Sequence, residues 1–142
     1  MPLDGLFLHF LKTEIAASAI GSRVEKVHQP AKDELVLLLR ARNGSNKLLI
    51  SASANSPRIH FTAVAPDNPK SPPMFCMLLR KYLTGAVLSD IRQAGLDRIL
   101  FLDFDCTNEI GDKTKLTLCV EIMAKHSNII LVNEENVIVE SV

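Results

Sequence analysis

The feature that most constrains the fold of this chain is a change of hydrophobic period at Ser22. Before it, Leu3, Leu6, Phe7, Phe10, Leu11 and Ile15 recur at intervals of three and four residues, Asp4 stands where a capping residue belongs, and Gly21 follows the last apolar turn. That spacing places the apolar side chains on one face of a single amphipathic helix. After it, residues 23–29, 34–42, 47–53 and 58–62 are apolar or alternating runs. Successive side chains of a strand point to opposite faces, so such runs read as strands that bury one side. Asn43-Gly44-Ser45-Asn46 joins the second run to the third with turn-forming residues, which makes this part a β-meander.

Residues 65–73, APDNPKSPP, interrupt the pattern, because proline has no N–H to give to a ladder. Pro72 and Pro73 suit the first turn of a helix, Met74, Met77, Leu78 and Leu83 form its apolar stripe, and Gly85 stops it, so the second helix is expected over about 72–84. Strand character then resumes at 87–93, 98–104, 115–123 and 128–132, with a further strand at 137–142 behind the polar turn 133–136. Two helices among eight or nine strands, most of them joined by short polar turns, define an α+β fold. The expected architecture is an antiparallel β-sandwich-like domain with the two helices at its flank.

A chain of 142 residues is long enough for one hydrophobic core, and no break in composition divides it, so residues 1–142 are read as a single domain. The strand-like end at Val142 fits a fragment of a longer protein. Lysine plus arginine and aspartate plus glutamate balance at 16 each, which excludes a broad positive field and requires any nucleic-acid contact to be local. Cys76, Cys106 and Cys119 are odd in number and have no CxxC spacing, so neither a disulfide framework nor a zinc site is indicated. The apolar start is broken by Asp4, His9, Lys12 and Glu14 and lacks a basic leader, and no run is long enough to span a membrane. The expected setting is the cytoplasm, with no membrane partner.

Enzymatic chemistry finds little support. His9, His28, His60 and His126 lie far apart without metal-binding spacing, and neither of the common glycine-rich phosphate loops is present, so no catalytic residue, metal or cofactor is expected. Asp103 and Asp105 bracket Phe104 and would share one face of a strand, as an acid/base or cation pair or, more commonly, as a solvated edge. Gly95 permits a tight turn before Asp97 and Arg98, whose opposite charges then point to different sides of the chain. Arginine's planar fork matches a phosphate, and aspartate accepts from a ribose hydroxyl; the ordinary alternative is a surface ion pair. Arg80 and Lys81, beside Tyr82, close the second helix, where cations complement the helix dipole or contact phosphate. Lys125 and His126 lie in a polar, mostly cationic stretch between two apolar strands, as a loop that contacts RNA would; the ordinary alternative is a turn stabilised by the side-chain hydrogen bonds of Ser127 and Asn128.

At these same residues the sequence resembles the NFACT N-terminal domain, the bacterial module also called the fibronectin-binding protein A family. The matching stretches are DGLF at 4–7, KVHQP at 26–30, PPMFCMLLRK at 72–81, GLDRI at 95–99, EIGD at 109–112 and EIMAKHSNIILV at 121–132. They run through the whole chain in order. The resemblance implies a fold related to the N-terminal β-sandwich of formamidopyrimidine DNA glycosylases. It also implies a ribosome quality-control factor that binds large ribosomal subunits carrying peptidyl-tRNA, recruits tRNA, with alanine tRNA expected, and promotes C-terminal alanine tailing of stalled chains. The family's Asp-Arg pair falls on Asp97 and Arg98, which are thereby expected to engage tRNA. One departure is Ala124-Lys125, where glycine and arginine are more usual; Lys125 keeps the charge but loses the bidentate fork.

Two other readings follow. A glycosylase-like enzyme would use the Pro2 amine, yet Leu3-Asp4 replaces the Pro-Glu start which that active site needs, and no DNA partner is expected. A fibronectin-binding adhesin, as the older family label says, would need export without a signal or disulfides.

Overall fold

The computed structural model describes residues 5–42, 44–52, 58–63, 70–93, 99–107, 110–121, 128–133 and 138–141. The expected residues Pro2, Leu3 and Asp4 lie outside them. Among the described residues two helices, α1 (Gly5–Ala19) and α2 (Met74–Leu83), accompany nine strands: β1 (Arg23–Ala31), β2 (Glu34–Ala41), β3 (Gly44–Ser51), β4 (Arg58–Thr62), β5 (Val87–Gln93), β6 (Ile99–Thr107), β7 (Lys113–Glu121), β8 (Asn128–Asn133) and β9 (Ile138–Ser141). Every described strand pairing is antiparallel. The α+β, antiparallel expectation therefore stands.

The hydrogen-bonded order, β4-β3-β2-β1-β5-β6-β7-β8-β9, is one continuous sheet. It consists of two meanders, β1–β4 and β5–β9, joined through a short seam. In that seam Arg23 pairs with Val87, Gly85 N donates to Val24 O, and Val24 N donates to Ala86 O, both at 2.8 Å. Gly85, at φ 87°, makes the reversal from α2 into this seam in a backbone region that costs other residues about 1–2 kcal/mol. Beyond the seam β1 and β5 run in opposite directions, so each leaves an edge of the other uncovered.

A single core unites the meanders. Leu35, Leu37, Leu39, Leu48 and Ile50 of the first, Leu100, Leu102, Phe104, Leu118 and Leu131 of the second, Ile15 and Ala19 of α1, and Phe75, Cys76, Leu79 and Leu83 of α2 form one buried cluster. The alternation read in the sequence supplies those inward residues, and burying each large aliphatic side chain contributes roughly 1.5–3 kcal/mol before chain entropy is counted.

Local differences from expectation have local causes. The β2–β3 turn is tighter: Ala41 already pairs with Gly44, and Gly44, Ser45 and Asn46 continue as strand, because Gly44 reaches φ 130° and accepts the reversal early. Helix α2 begins at Met74, two residues later than expected, since Pro73 is extended at ψ 159° and a residue before proline is pushed out of the α region. Strand β6 continues through Asp105, Cys106 and Thr107 as far as its ladder with β7 lasts.

Candidate functional site

Asp97 and Arg98 lie outside the described residues, as do Lys125 and His126. The strand ends from which their segments depart are described. Strand β5 ends at Gln93, β6 begins at Ile99, β7 ends at Glu121 and β8 begins at Asn128. Gln93 pairs with Leu100, Ile99 with Glu121, and Glu121 with Asn128. The antiparallel register therefore brings the entry to β6 and the exit from β7 side by side at one end of the second meander. Both connections expected to touch RNA start from this single rim.

Arg80 and Lys81 stand elsewhere. From the Arg23–Val87 seam, β1 runs one way toward His28 and β5 the other way toward the rim, so the register does not gather Arg80 with the Asp97 connection. Arg80 is in the last turn of α2, yet its guanidinium does not cap its own helix. Its Nε donates to Val27 O at 2.8 Å, and the Cys76 thiol points to the same carbonyl at 3.6 Å. Two side chains of α2 thus satisfy a carbonyl on the edge of β1 that β5 leaves open. An Arg Nη2 lies 3.4 Å from Nδ1 of His28. Because guanidinium only donates, this contact favours the neutral ring with its proton on Nε2. Burial, and then the charges of Arg80, Lys26 and Lys47, hold the His28 pKa below its ordinary 6.5. The Lys81 ammonium lies 5.3 Å from the centre of the Tyr82 ring, a cation–π contact at the surface.

A constellation that the sequence did not reveal occupies the outer face of the second meander. Arg92 of β5 grips Asp103 of β6 bidentately, Nε to Oδ2 at 2.6 Å and Nη2 to Oδ1 at 2.9 Å, while its guanidinium lies 5.0 Å from the Phe101 ring centre. Thr117 of β7 donates to the same carboxylate at 2.7 Å. Burial pushes the Asp103 carboxyl up, but the hydrogen bonds from Arg92 and Thr117 and the charges of Arg92 and Lys115 outweigh it and hold it below its ordinary 3.8. Asp103 and Asp105 do share a face, and Asp105 is exposed. Asp103 is committed to a cross-strand network, which makes it a structural anchor instead of a free acid or base. Its partners are distant in sequence, and only the strand register reveals them.

The outer face of the first meander carries charge differently. Arg23, Arg40 and Ser45 form one cross-strand row, and Lys26, Leu38, Lys47 and Thr62 the next. His28, Val36, Leu49 and His60 form a third. The signal in the sequence was KVHQP followed by an alternating strand pair, but only the register puts Lys26 and Lys47 in one row, on either side of Leu38. Among the described residues no group of three or more His, Cys, Asp or Glu is placed to hold a metal ion, and no helix is long and apolar enough to cross a membrane.

Comparison with known proteins agrees over nearly the whole chain. A Bacillus subtilis (strain 168) protein named Rqc2 homolog RqcH is 47% identical over 141 residues, covering 99% of this chain and 25% of that protein. An archaeal Rqc2 homolog, aRqcH of Methanocaldococcus jannaschii, is 31% identical over 123 residues, covering 84% of this chain and 17% of that protein. The chain thus spans about a quarter or less of the length of these relatives. Among solved structures, the N-terminal domain of fibronectin-binding protein PavA from Streptococcus pneumoniae superposes with a TM-score of 0.94 at 42% identity, over 98% of this chain and 53% of that one. The fibrinogen binding protein from Staphylococcus aureus gives 0.89 at 35% identity, over 99% and 50%. The family model described as NFACT N-terminal and middle domains matches residues 4–142. On this match and these identities, the chain belongs to the NFACT family.

Proposed function

We propose that this chain is the tRNA- and large-ribosomal-subunit-binding module of a cytoplasmic ribosome quality-control factor that promotes C-terminal alanine tailing of stalled nascent chains. The observation that carries this reading is the 47% identity across 99% of the chain to a protein named as an Rqc2 homolog. The geometry supports it: the segments holding Asp97, Arg98, Lys125 and His126 depart from one rim of the second meander, as a composite RNA contact requires. The module works by positioning and not by bond chemistry; peptide bonds are made by the ribosomal RNA. The kinship of the fold with the formamidopyrimidine DNA glycosylases belongs to the same proposal. With 16 positive and 16 negative side chains, the isolated chain binds free tRNA weakly, and the rest of its parent and the ribosome supply most of the affinity.

An adhesin is the second reading, favoured by the names of the two similar solved proteins, fibronectin-binding and fibrinogen binding. One experiment separates them. The full-length parent is purified from cells as wild type and as Asp97→Ala/Arg98→Ala, and the tRNA accompanying its large subunits is sequenced. Alanine tRNA enriched with wild type, and lost in the variant while subunits still copurify, is the expected result. Equal tRNA in both overturns the role given to Asp97 and Arg98; copurification of neither subunits nor tRNA with wild type overturns the ribosomal reading and leaves the adhesin.

A further inference from the structure

The chain is electrically neutral as a whole, yet its charges are not evenly spread. On the outer face of β1–β3, Arg23 and Arg40 are cross-strand partners, and in the adjacent row Lys26 and Lys47 flank Leu38. Arg80 reaches the same region from α2 through its contact with His28. The nearest acid by register is Glu25, at the bulge between Val24 and Lys26; Glu34 lies two rows away, where it faces Arg58 at 3.8 Å. None of Lys26, Arg40 and Lys47 has a carboxylate partner among the described residues. Like charges at neighbouring positions of a sheet repel, by a few tenths of a kcal/mol or more, so the folded chain bears this arrangement at some cost.

The edge of this face has a cavity. A groove of about 450 Å³ lies at the end of the lysine row, lined by Leu38, Ser45, Asn46, Lys47, Phe61 and Thr62 among others. Among the described residues its only charged lining residue is the cation Lys47, and Ser45 and Asn46 add a hydroxyl and an amide. Val36 and Leu49, side by side in the row next to the lysines, are buried and not part of the core cluster, whereas Lys26, Arg40 and Lys47 are exposed, so the open part of this face is the cationic part. Exposed cations in neighbouring rows, with polar groups in an adjoining groove, complement a phosphodiester backbone: ammonium and guanidinium groups meet phosphates, and hydroxyl and amide groups meet phosphate or ribose oxygens.

We infer that the outer face of β1–β3, centred on Lys26, Arg40 and Lys47 with the groove beside Lys47, is a second RNA-backbone contact surface, separate from the β5–β8 rim and indifferent to base sequence. The inference rests on the proposed ribosomal function. In it the rim selects a tRNA, and the basic face holds an RNA strand by its phosphates wherever the parent protein sits on the particle.

The test uses the full-length parent as wild type, Lys26→Gln/Lys47→Gln, Lys26→Arg/Lys47→Arg and Asp97→Ala/Arg98→Ala. Affinity for a tRNA transcript, and separately for isolated large subunits, is measured across a range of salt. The Gln pair is expected to bind one of these RNAs about tenfold more weakly at low salt, with a salt slope shallower by roughly 1.5, the share of two phosphate contacts. The Arg pair should retain the wild-type slope. A change with the transcript assigns the face to tRNA, and a change with subunits assigns it to ribosomal RNA. Wild-type affinity and slope for the Gln pair on both RNAs would overturn the inference while leaving the rim reading intact. Failure of wild type to bind either RNA would instead defeat the ribosomal reading on which it rests. Both positions are exposed, and a matching thermal melt separates lost contact from lost fold.

Discussion

The outer faces of the two meanders are built from the same alternating pattern and use charge in opposite ways. On β5–β7, Arg92, Asp103 and Thr117 close on one another, so the charges there are consumed in holding three strands in register. On β1–β3, Lys26, Arg40 and Lys47 lie close together with no such partner among the described residues. A paired charge stabilises the sheet that bears it. An unpaired cluster does little for the sheet and leaves its field available to a ligand. The contrast locates the structural and the receptive surface of a neutral chain without appeal to net charge.

Stability measurements can break this comparison. Asp103→Asn removes the ionic acceptor of Arg92 and should lower unfolding stability by roughly 1–2 kcal/mol, discounted because Arg92 is half exposed, whereas Lys47→Gln should change it by less than about 0.5 kcal/mol. Denaturant midpoints at neutral pH check both. Since the Asp103 pKa is depressed in the fold, its contribution is present above the ordinary carboxylate value of 3.8 and is lost as pH falls through the lower folded value. The gap between wild type and Asp103→Asn should therefore close in acid. Equal losses for the two variants would erase the distinction between the faces.

A smaller effect sharpens it. The His28 ring should titrate below 6.5, and its midpoint should move upward, though not all the way, in Lys26→Gln/Lys47→Gln, because burial is the first cause of the depression and the cations come after it. A folded His pKa below the unfolded one means that stability falls as pH drops through 6.5 toward the folded value. Proton resonance of the His28 ring against pH reads the shift; an unmoved midpoint would show that the two lysines do not act on this face.

These contrasts also show what the sequence makes legible. Period alone placed α1 and its stop at Gly21, because helix spacing and a glycine at φ 92° are local facts. It placed the bounds of β5 at Val87 and Gln93 for the same reason. The antiparallel meanders followed from short connections. The continuity of the sheet through the seam did not, since Val24, Gly85 and Ala86 meet only after α2 has been traversed. Arg80 was visible as a terminal helix cation, but its acceptor Val27 is 53 residues away, and nothing in the spacing announces an open strand edge. Likewise Asp103 was noticed for the wrong neighbour: Asp105 is two residues along the chain, whereas Arg92 and Thr117 reach it across the ladders. Asp97, Arg98, Lys125 and His126 were reached by family resemblance together with their place between strands, and the structure describes only the rim that holds their segments.

Cross-linking on the particle tests the central claim most directly. The full-length parent, bound to large subunits that carry peptidyl-tRNA, is irradiated, and the peptides joined to RNA are identified by mass spectrometry. The expected result is tRNA adducts on peptides from 94–98 or 122–127, with any RNA adducts of β1–β3 lost in Lys26→Gln/Lys47→Gln. Efficient cross-linking confined to other parts of the parent, with residues 1–142 free of RNA, would contradict the assignment of this module to tRNA and ribosome binding.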